Sequence, residues 1–242
     1  MNERYKLAGV TFTGVDAKTD LGELWSIQQE YPYVEWGILA SENWRDNGNR
    51  YFNPSFLKAL DRGLNLSVHL CGRLAREAVN GNMEPFCNWA KGNAYLFYRC
   101  QLNISKNKNN PEKFIYYGQD INSYFDEVIL QQSGVADCQL YMNSKGNGHV
   151  SVLLDASGGN GIDTPINILD SYKVGYAGGI NPDNVSDKLK YLLANVNGQF
   201  WIDMESGVRT DDWFDLDKVR KVLEICNNIL SVYGGSNIRT EY

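Results

Sequence analysis

Three stretches near the end of the chain decide its fold: VSVLLDASGGNGID (Val150–Asp163), YAGGINPDNV (Tyr176–Val185) and FWIDMESGVR (Phe200–Arg209). Each is a short apolar run that stops at a loop of small residues. About two dozen residues separate successive runs, which leaves room for one helix each time. Strand, glycine-rich loop and helix in repetition make parallel β/α units. A loop of this kind exposes backbone N–H groups at the C-terminal end of its strand, and a following helix adds the positive end of its dipole. Together they hold a phosphate.

The same alternation runs back through the chain. Strands are expected at Leu7–Gly14, Val34–Ser41, Leu64–Gly72 and Ala94–Ile104. Thr19 is placed to cap a helix reaching about Tyr31, with Leu21, Leu24, Trp25 and Gln28 on one face. Asn53 and Pro54 offer a cap and a first-turn proline for the next helix, and a helical segment from Arg73 is broken by Gly81 and Pro85. The fifth unit has two arrangements. In one, a helix over Pro111–Asn122 precedes a strand over Asp126–Gly134. In the other, a strand at Lys113–Tyr117 precedes a helix at Asn122–Gln132. The first preserves the alternation and is preferred, with a short helix following over Val135–Asn143. Asn181 and Pro182 start the helix that carries Val185, Leu189, Leu192 and Leu193 inward, and Asp215 starts the last one. Eight strands alternating with helices fit a (β/α)8 barrel in a single domain; an open doubly wound sheet is the alternative that periodicity leaves standing.

Composition bounds the function. The 242 residues match one barrel, for which about 250 is usual. A net charge of −6 argues against nucleic acid, which needs clustered Lys and Arg, but leaves room for a small anionic ligand held by amides and one or two arginines. The five cysteines form no CxxC pair, and with only His69 and His149 no zinc pattern exists, so neither a metal nor a cofactor is expected. Reduced thiols and a cytoplasmic location follow. No apolar run reaches the roughly 20 residues of a membrane span, so no membrane partner is expected, and the oligomeric state stays open.

In order and spacing, the three quoted stretches resemble the last three strands of phosphoribosylanthranilate isomerase, a (β/α)8 family. The resemblance is specific over residues 150–230 and faint over 1–149. It implies an Amadori rearrangement of a phosphorylated aminoribose, which needs an acid to open the ring and a base to remove a proton. The acid that closes strand six in that family matches Asp155. Its phosphate-binding glycines match Gly178, Gly179 and Gly207, beside Ser206. The loop after strand six matches Ser157–Gly161, with Gly158 and Gly159 in place and Asn160 where threonine is usual. Arg209 adds a positive charge that the family often lacks. The plainer readings are a turn-capping Asp155 and glycines required by tight turns.

The departures are as informative. Aligning Gly14 with the glycine after the family's base cysteine puts Thr13 at the cysteine position, and a hydroxyl is a very poor base at neutral pH. Asn103 stands where a histidine is usual, and the arginine turn after strand two is missing, with Arg45 or Arg50 as its replacement. Cys71 is the best substitute base, ahead of His69 and Asp16; each also has an ordinary reading, as a buried thiol, a satisfied core histidine and a loop aspartate. Trp44, Tyr51 and Phe52 lie in the long second loop, where a flat ring of the ligand could stack. Two functions follow from the resemblance. One is a barrel that sequesters or senses a phosphorylated ribosyl or nucleotide-like molecule without turning it over. The other is an Amadori isomerase with Asp155 as acid and a non-standard base. The lost base favours the first.

Overall fold

The computed structural model describes residues 6–45, 48–103, 121, 123–136, 150–170 and 172–233. Eight parallel strands close into a barrel in sequence order: β1 (Leu7–Thr13), β2 (Val34–Ala40), β3 (Leu66–Leu70), β4 (Arg99–Asn103), β5 (Glu127–Gln132), β6 (Val150–Asp155), β7 (Lys173–Ala177) and β8 (Gln199–Met204). Closure is made by β1 against β8, with Thr11 opposite Asp203 and Phe12 opposite Met204. Alternation along each strand sorts side chains into two populations. Val10, Phe12, Ile38, Val68, Leu102, Val128, Val152, Val174 and Ile202 face outward and pack under the helices. Between strands and solvent lie α1 (Leu21–Glu30), α2 (Gly72–Val79), α3 (Glu84–Ala90), α4 (Val185–Asn195) and α5 (Leu216–Tyr233).

Inside the barrel a small apolar layer of Ile129, Leu153 and Trp201 fills the middle. Gly175 on β7 makes room for it, because a Cβ there would run into the Trp201 indole and the Leu153 side chain. Below this layer, toward the strand N-termini, sits a group of partly buried charges. Arg99 binds Glu35 at 3.0 Å and Glu127 at 2.8 Å, and Lys173 binds Glu127 at 2.8 Å. Thr11 donates to Glu35 at 2.9 Å, Ser151 donates to Glu127, and the Arg99 guanidinium lies 4.6 Å from the Trp201 ring centre. The candidate site opens above the layer, at the strand C-termini.

Several local expectations change. Asp20, one residue after Thr19, caps α1 by accepting from the amides of Gly22 and Glu23; Thr19 instead accepts from the amide of Asp16 at 3.0 Å. Residues Ala94–Leu96 form a 3-10 turn instead of beginning the fourth strand, because Lys91 and Gly92 adopt positive φ (49° and 82°) and redirect the chain just before it. Pro54–Ala59 is also a 3-10 helix. The fifth strand follows the preferred arrangement, while the helix expected at Pro111–Asn122 and most of that at Val135–Asn143 fall outside the described residues. The interval between β6 and β7 holds no helix over 161–170. Its sequence, GIDTPINILD, has no 3.6-residue apolar period, and Pro165 both lacks an amide donor and pushes Thr164 away from helical angles. Ile166, Ile168 and Leu169 still cover the barrel wall from this irregular segment.

This charge cluster gives the fold an acid-sensitive element. Burial alone would push the Glu127 carboxyl up, but Arg99 and Lys173 outweigh it and hold the group at about 2. A folded value below the unfolded one means stability that is present above about pH 4.5 and lost as pH falls toward 2. Replacing Glu127 by Gln should therefore lower Tm at pH 7 and flatten the parent's fall in Tm between about pH 4.5 and 2. Melting curves across that range check it; parallel curves for the two proteins would contradict it.

Candidate functional site

The C-terminal mouth of the barrel holds a cavity of about 620 Å³, in the size range of small-molecule sites. Its floor carries Thr13, His69, Gln101, Leu153 and Asp203, and its wall carries Tyr51, Cys71, Asn103, Gln131, Asp155 and Glu205. Gly158, Gly159, Gly178, Gly179 and Ser206 form the rim over β6 to β8. Most of the residues selected from sequence thus converge on one space.

Asp155, at the end of β6, is 4% exposed. One oxygen accepts from the Ser157 amide (3.1 Å) and hydroxyl (2.7 Å), the other from Gln131 (2.7 Å) and the Gly159 amide (2.6 Å). The carboxylate therefore organises the turn that follows it, and the Gly159 amide is spent on this turn. The capping role weighed beside the catalytic one is the one seen in this geometry. Proton transfer by Asp155 would require one of these four bonds to open.

Thr13 also has its hydroxyl engaged. It donates to Asp203 at 2.8 Å and lies 3.5 Å from His69 Nδ1; the other ring nitrogen is 3.2 Å from Ser67 Oγ. Burial, with Arg99 nearby, pushes His69 down to about 3, so it is neutral at physiological pH. Gly37 is required beside this cluster, since a Cβ there would lie 2.6 Å from Thr13 Oγ1. Cys71 is unsuited to proton abstraction: burial raises its thiol to about 12, opposed by the hydrogen bond from Asn103 and, less, by Tyr51, with Glu205 adding to the rise. Asn103 donates to the Cys71 sulfur at 3.2 Å and accepts from Gln101 at 2.9 Å, so it ties wall to floor.

Asp203 is the residue that sequence reasoning passed over. Burial pushes its carboxyl up to about 8; the Thr13 hydrogen bond opposes this, and Glu35, Glu205 and Asp155 add to it. Burial likewise raises Glu205, with Arg50 and Arg209 opposing. Asp203 lies inside the quoted FWIDMESGVR stretch, two residues after the inward-facing Trp201. The two-residue period of a strand was the signal that would have found it.

Other expected ligand groups stand elsewhere. Trp44 and Arg45 line a separate outer groove with Arg73 and Trp89, where the Arg45 guanidinium lies 4.8 Å from the Trp44 ring centre. Of the second loop, Tyr51 and Arg50 reach the cavity, and Phe52 is buried in the core. Arg50 binds Glu205 at 2.9 Å and Asp212 at 3.0 Å. Arg209 does not line the cavity. Its buried guanidinium binds Asp16 at 3.0 Å and the carbonyls of Gly14 and Asp212 at 2.7 Å, so its charge is neutralised within the fold. Gly207 also lies off the lining, with its Cα packed on the Ile180 carbonyl so that no Cβ would fit. His149 lies outside the described residues. Among the described residues no group of His, Cys, Asp and Glu has the arrangement of a metal site, and no helix is long and apolar enough to cross a membrane.

The family model of N-(5'-phosphoribosyl)anthranilate isomerase matches residues 125–225. Among solved structures, that isomerase from Pyrococcus furiosus is similar at 17% identity, with 91% of this chain and 98% of that one covered and a TM-score of 0.53. The phosphoribosylanthranilate isomerase of Thermococcus kodakaraensis aligns at 14% identity over 92% of this chain and 100% of its own, with a TM-score of 0.54. A truncated 3-deoxy-D-arabino-heptulosonate 7-phosphate synthase from Thermotoga maritima reaches 0.55 at 11% identity, covering 98% and 91%. No curated protein matches. The chain is a (β/α)8 barrel whose C-terminal part resembles phosphoribosylanthranilate isomerase.

The raised Asp203 yields a signed expectation. The folded protein keeps this proton over a range where the unfolded chain has lost it, so folding stability falls as pH rises from about 4 to about 8. An Asp203→Asn variant cannot ionise there. Its stability relative to the parent should grow steadily across that interval in urea titrations, and a difference independent of pH would refute the assignment.

Proposed function

We propose that this barrel binds a phosphorylated ribosyl or nucleotide-like molecule and releases it unchanged, acting to sequester or sense it. The observation that carries this reading is Thr13. At the strand-one position where the resembling family has its base, the chain presents a hydroxyl already donating to Asp203. A cavity with a glycine rim is nonetheless present. A site that keeps ligand contacts and lacks a base holds its ligand without the transition-state help that proton transfer supplies, a loss of roughly 10² to 10⁴ in rate. Floor and wall suit a hydroxyl-rich ligand: Asp203 and Glu205 with Asn103, Gln101 and Gln131 offer acceptors and donors for sugar hydroxyls. Tyr51 is the aromatic of the second loop that faces this space.

One observation favours the second reading, an Amadori isomerase. Asp203 is a carboxyl in the cavity with a raised proton affinity, which suits an acid–base group near neutral pH.

Purified protein mixed with phosphoribosylanthranilate and with a panel of cyclic and ADP-ribose-type nucleotides decides between them. We expect one nucleotide to be retained and recovered intact after denaturation, and Tyr51→Ala to weaken its binding by about 1–3 kcal/mol if its base stacks there. Turnover of phosphoribosylanthranilate that disappears in Asp203→Asn or Asp155→Asn would overturn the binding reading.

A further inference from the structure

A strap from the chain itself packs against the rim over β7 and β8. Gly161 packs against Ser206, where a Cβ would collide with the hydroxyl. Ile162 and Asp163 press their backbone against Gly179, which adopts φ +64° and has no room for a Cβ. Thr164 covers Gly178, whose Cβ would lie 2.7 Å from Thr164 Oγ1. Residues 161–164 thus span both glycine loops. They are pinned by one cation. Lys188, on the first turns of α4, is 11% exposed at its side chain and binds the Asp163 carboxylate at 2.7 Å. It also donates to the Thr164 carbonyl at 2.8 Å and to the Gly178 carbonyl at 3.5 Å. Asn184, at the cap position of α4, donates to the other Asp163 oxygen at 3.0 Å. Lys188 and Asn184 together hold the Asp163 carboxyl below its ordinary value.

We propose that the Asp163 carboxylate is an internal stand-in for the ligand's phosphate, held by Lys188 and Asn184 in a latch that keeps the strap over the glycine rim until a phosphate displaces it. The inference rests on the reading that this rim takes a phosphate. Its physical basis is competition. A carboxylate carries one negative charge and two acceptor atoms; a phosphate monoester carries close to two charges and three acceptor oxygens, so it is the better partner for an ammonium beside a helix N-terminus. When phosphate enters, Asp163 swings out to solvent, where its side chain is already 62% exposed, and the strap lifts with it. Lys188 then supplies the positive charge that Arg209, neutralised by Asp16, does not. The site is consequently self-inhibited, and its affinity for phosphate is reduced by the latch it must open.

Two measurements on the full chain test this, with inorganic phosphate and ribose 5-phosphate as probes. In calorimetric titration, Asp163→Ala should bind both at least about fivefold more tightly than the parent, and adding Lys188→Met should abolish the gain. In hydrogen exchange, the amides of Ile162–Thr164 should exchange faster in Asp163→Ala, and in the parent once phosphate is saturating. Equal phosphate affinity for parent and Asp163→Ala, or a strap whose exchange phosphate leaves unchanged, overturns the latch and leaves phosphate binding intact. Absence of phosphate binding by parent and variant alike overturns the latch together with the reading beneath it.

Discussion

An eight-stranded barrel has a fixed interior, and in this protein the Trp201 indole takes the largest share of its middle. The ring fits because Gly175, its neighbour on β7, has no side chain to oppose it. With Ile129 and Leu153 it forms an apolar partition across the barrel. That partition separates two polar regions that would otherwise merge. Below it, Arg99, Glu35, Glu127 and Lys173 neutralise one another at the partly open lower end of the barrel. Above it, Asp203 and His69 stay close to the uncharged state because burial penalises their ions. A smaller residue at 201 would admit water between the regions, and the proton affinities at the cavity floor would relax toward their solution values. The chemistry of the mouth therefore depends on a packing choice in the middle of the barrel.

Much of the barrel was legible because parallel β/α units write themselves into sequence. The apolar runs stop at glycine loops, and the strands after Val34, Val150 and Gln199 fall where the pattern places them. The spacing between β6 and β7 leaves room for a helix, but residues 161–170 form none; Pro165 and the missing helical period are the contrary signals. The site was legible in position more than in role. Asp155 and Gly178 reach the cavity as expected, yet four donors surround the Asp155 carboxylate, a fact no spacing encodes. Arg209 reads in sequence as a free charge beside a phosphate loop. Its partner Asp16 lies almost the whole chain away, and only folding brings the two together. Trp44 and Arg45 were assigned to the mouth on loop membership, but a long loop has two sides, and theirs faces the outer groove.

The Thr13 hydroxyl on strand one also shapes its neighbours' chemistry. A cysteine thiol at position 13 would be a weak donor to Asp203, whereas the Thr13 hydroxyl makes a firm hydrogen bond at 2.8 Å and fixes that carboxyl's orientation. The interior of the mouth is in this sense preorganised. Asn103, Cys71 and Gln101 are joined by side-chain bonds, and Gln131 is committed to Asp155. Groups held in this way lose little freedom when a ligand arrives, which lowers the entropic cost of binding.

The contact between Arg209 and Asp16 has a consequence for how the molecule is made. It spans 193 residues, and the pairing of β1 with β8 spans a comparable distance. Neither can form until β8 has left the ribosome, so the strands made first wait with β1 as an unpaired edge through most of synthesis. Open edges of this kind invite pairing with other chains. Folding dominated by such distant contacts is slow, because the loop must be closed before the contact stabilises anything. Growth at low temperature or slower translation should accordingly favour soluble protein, and a circular permutant that makes β8 adjacent to β1 in sequence would form that pair early while moving the distant closure to the strands at its new ends.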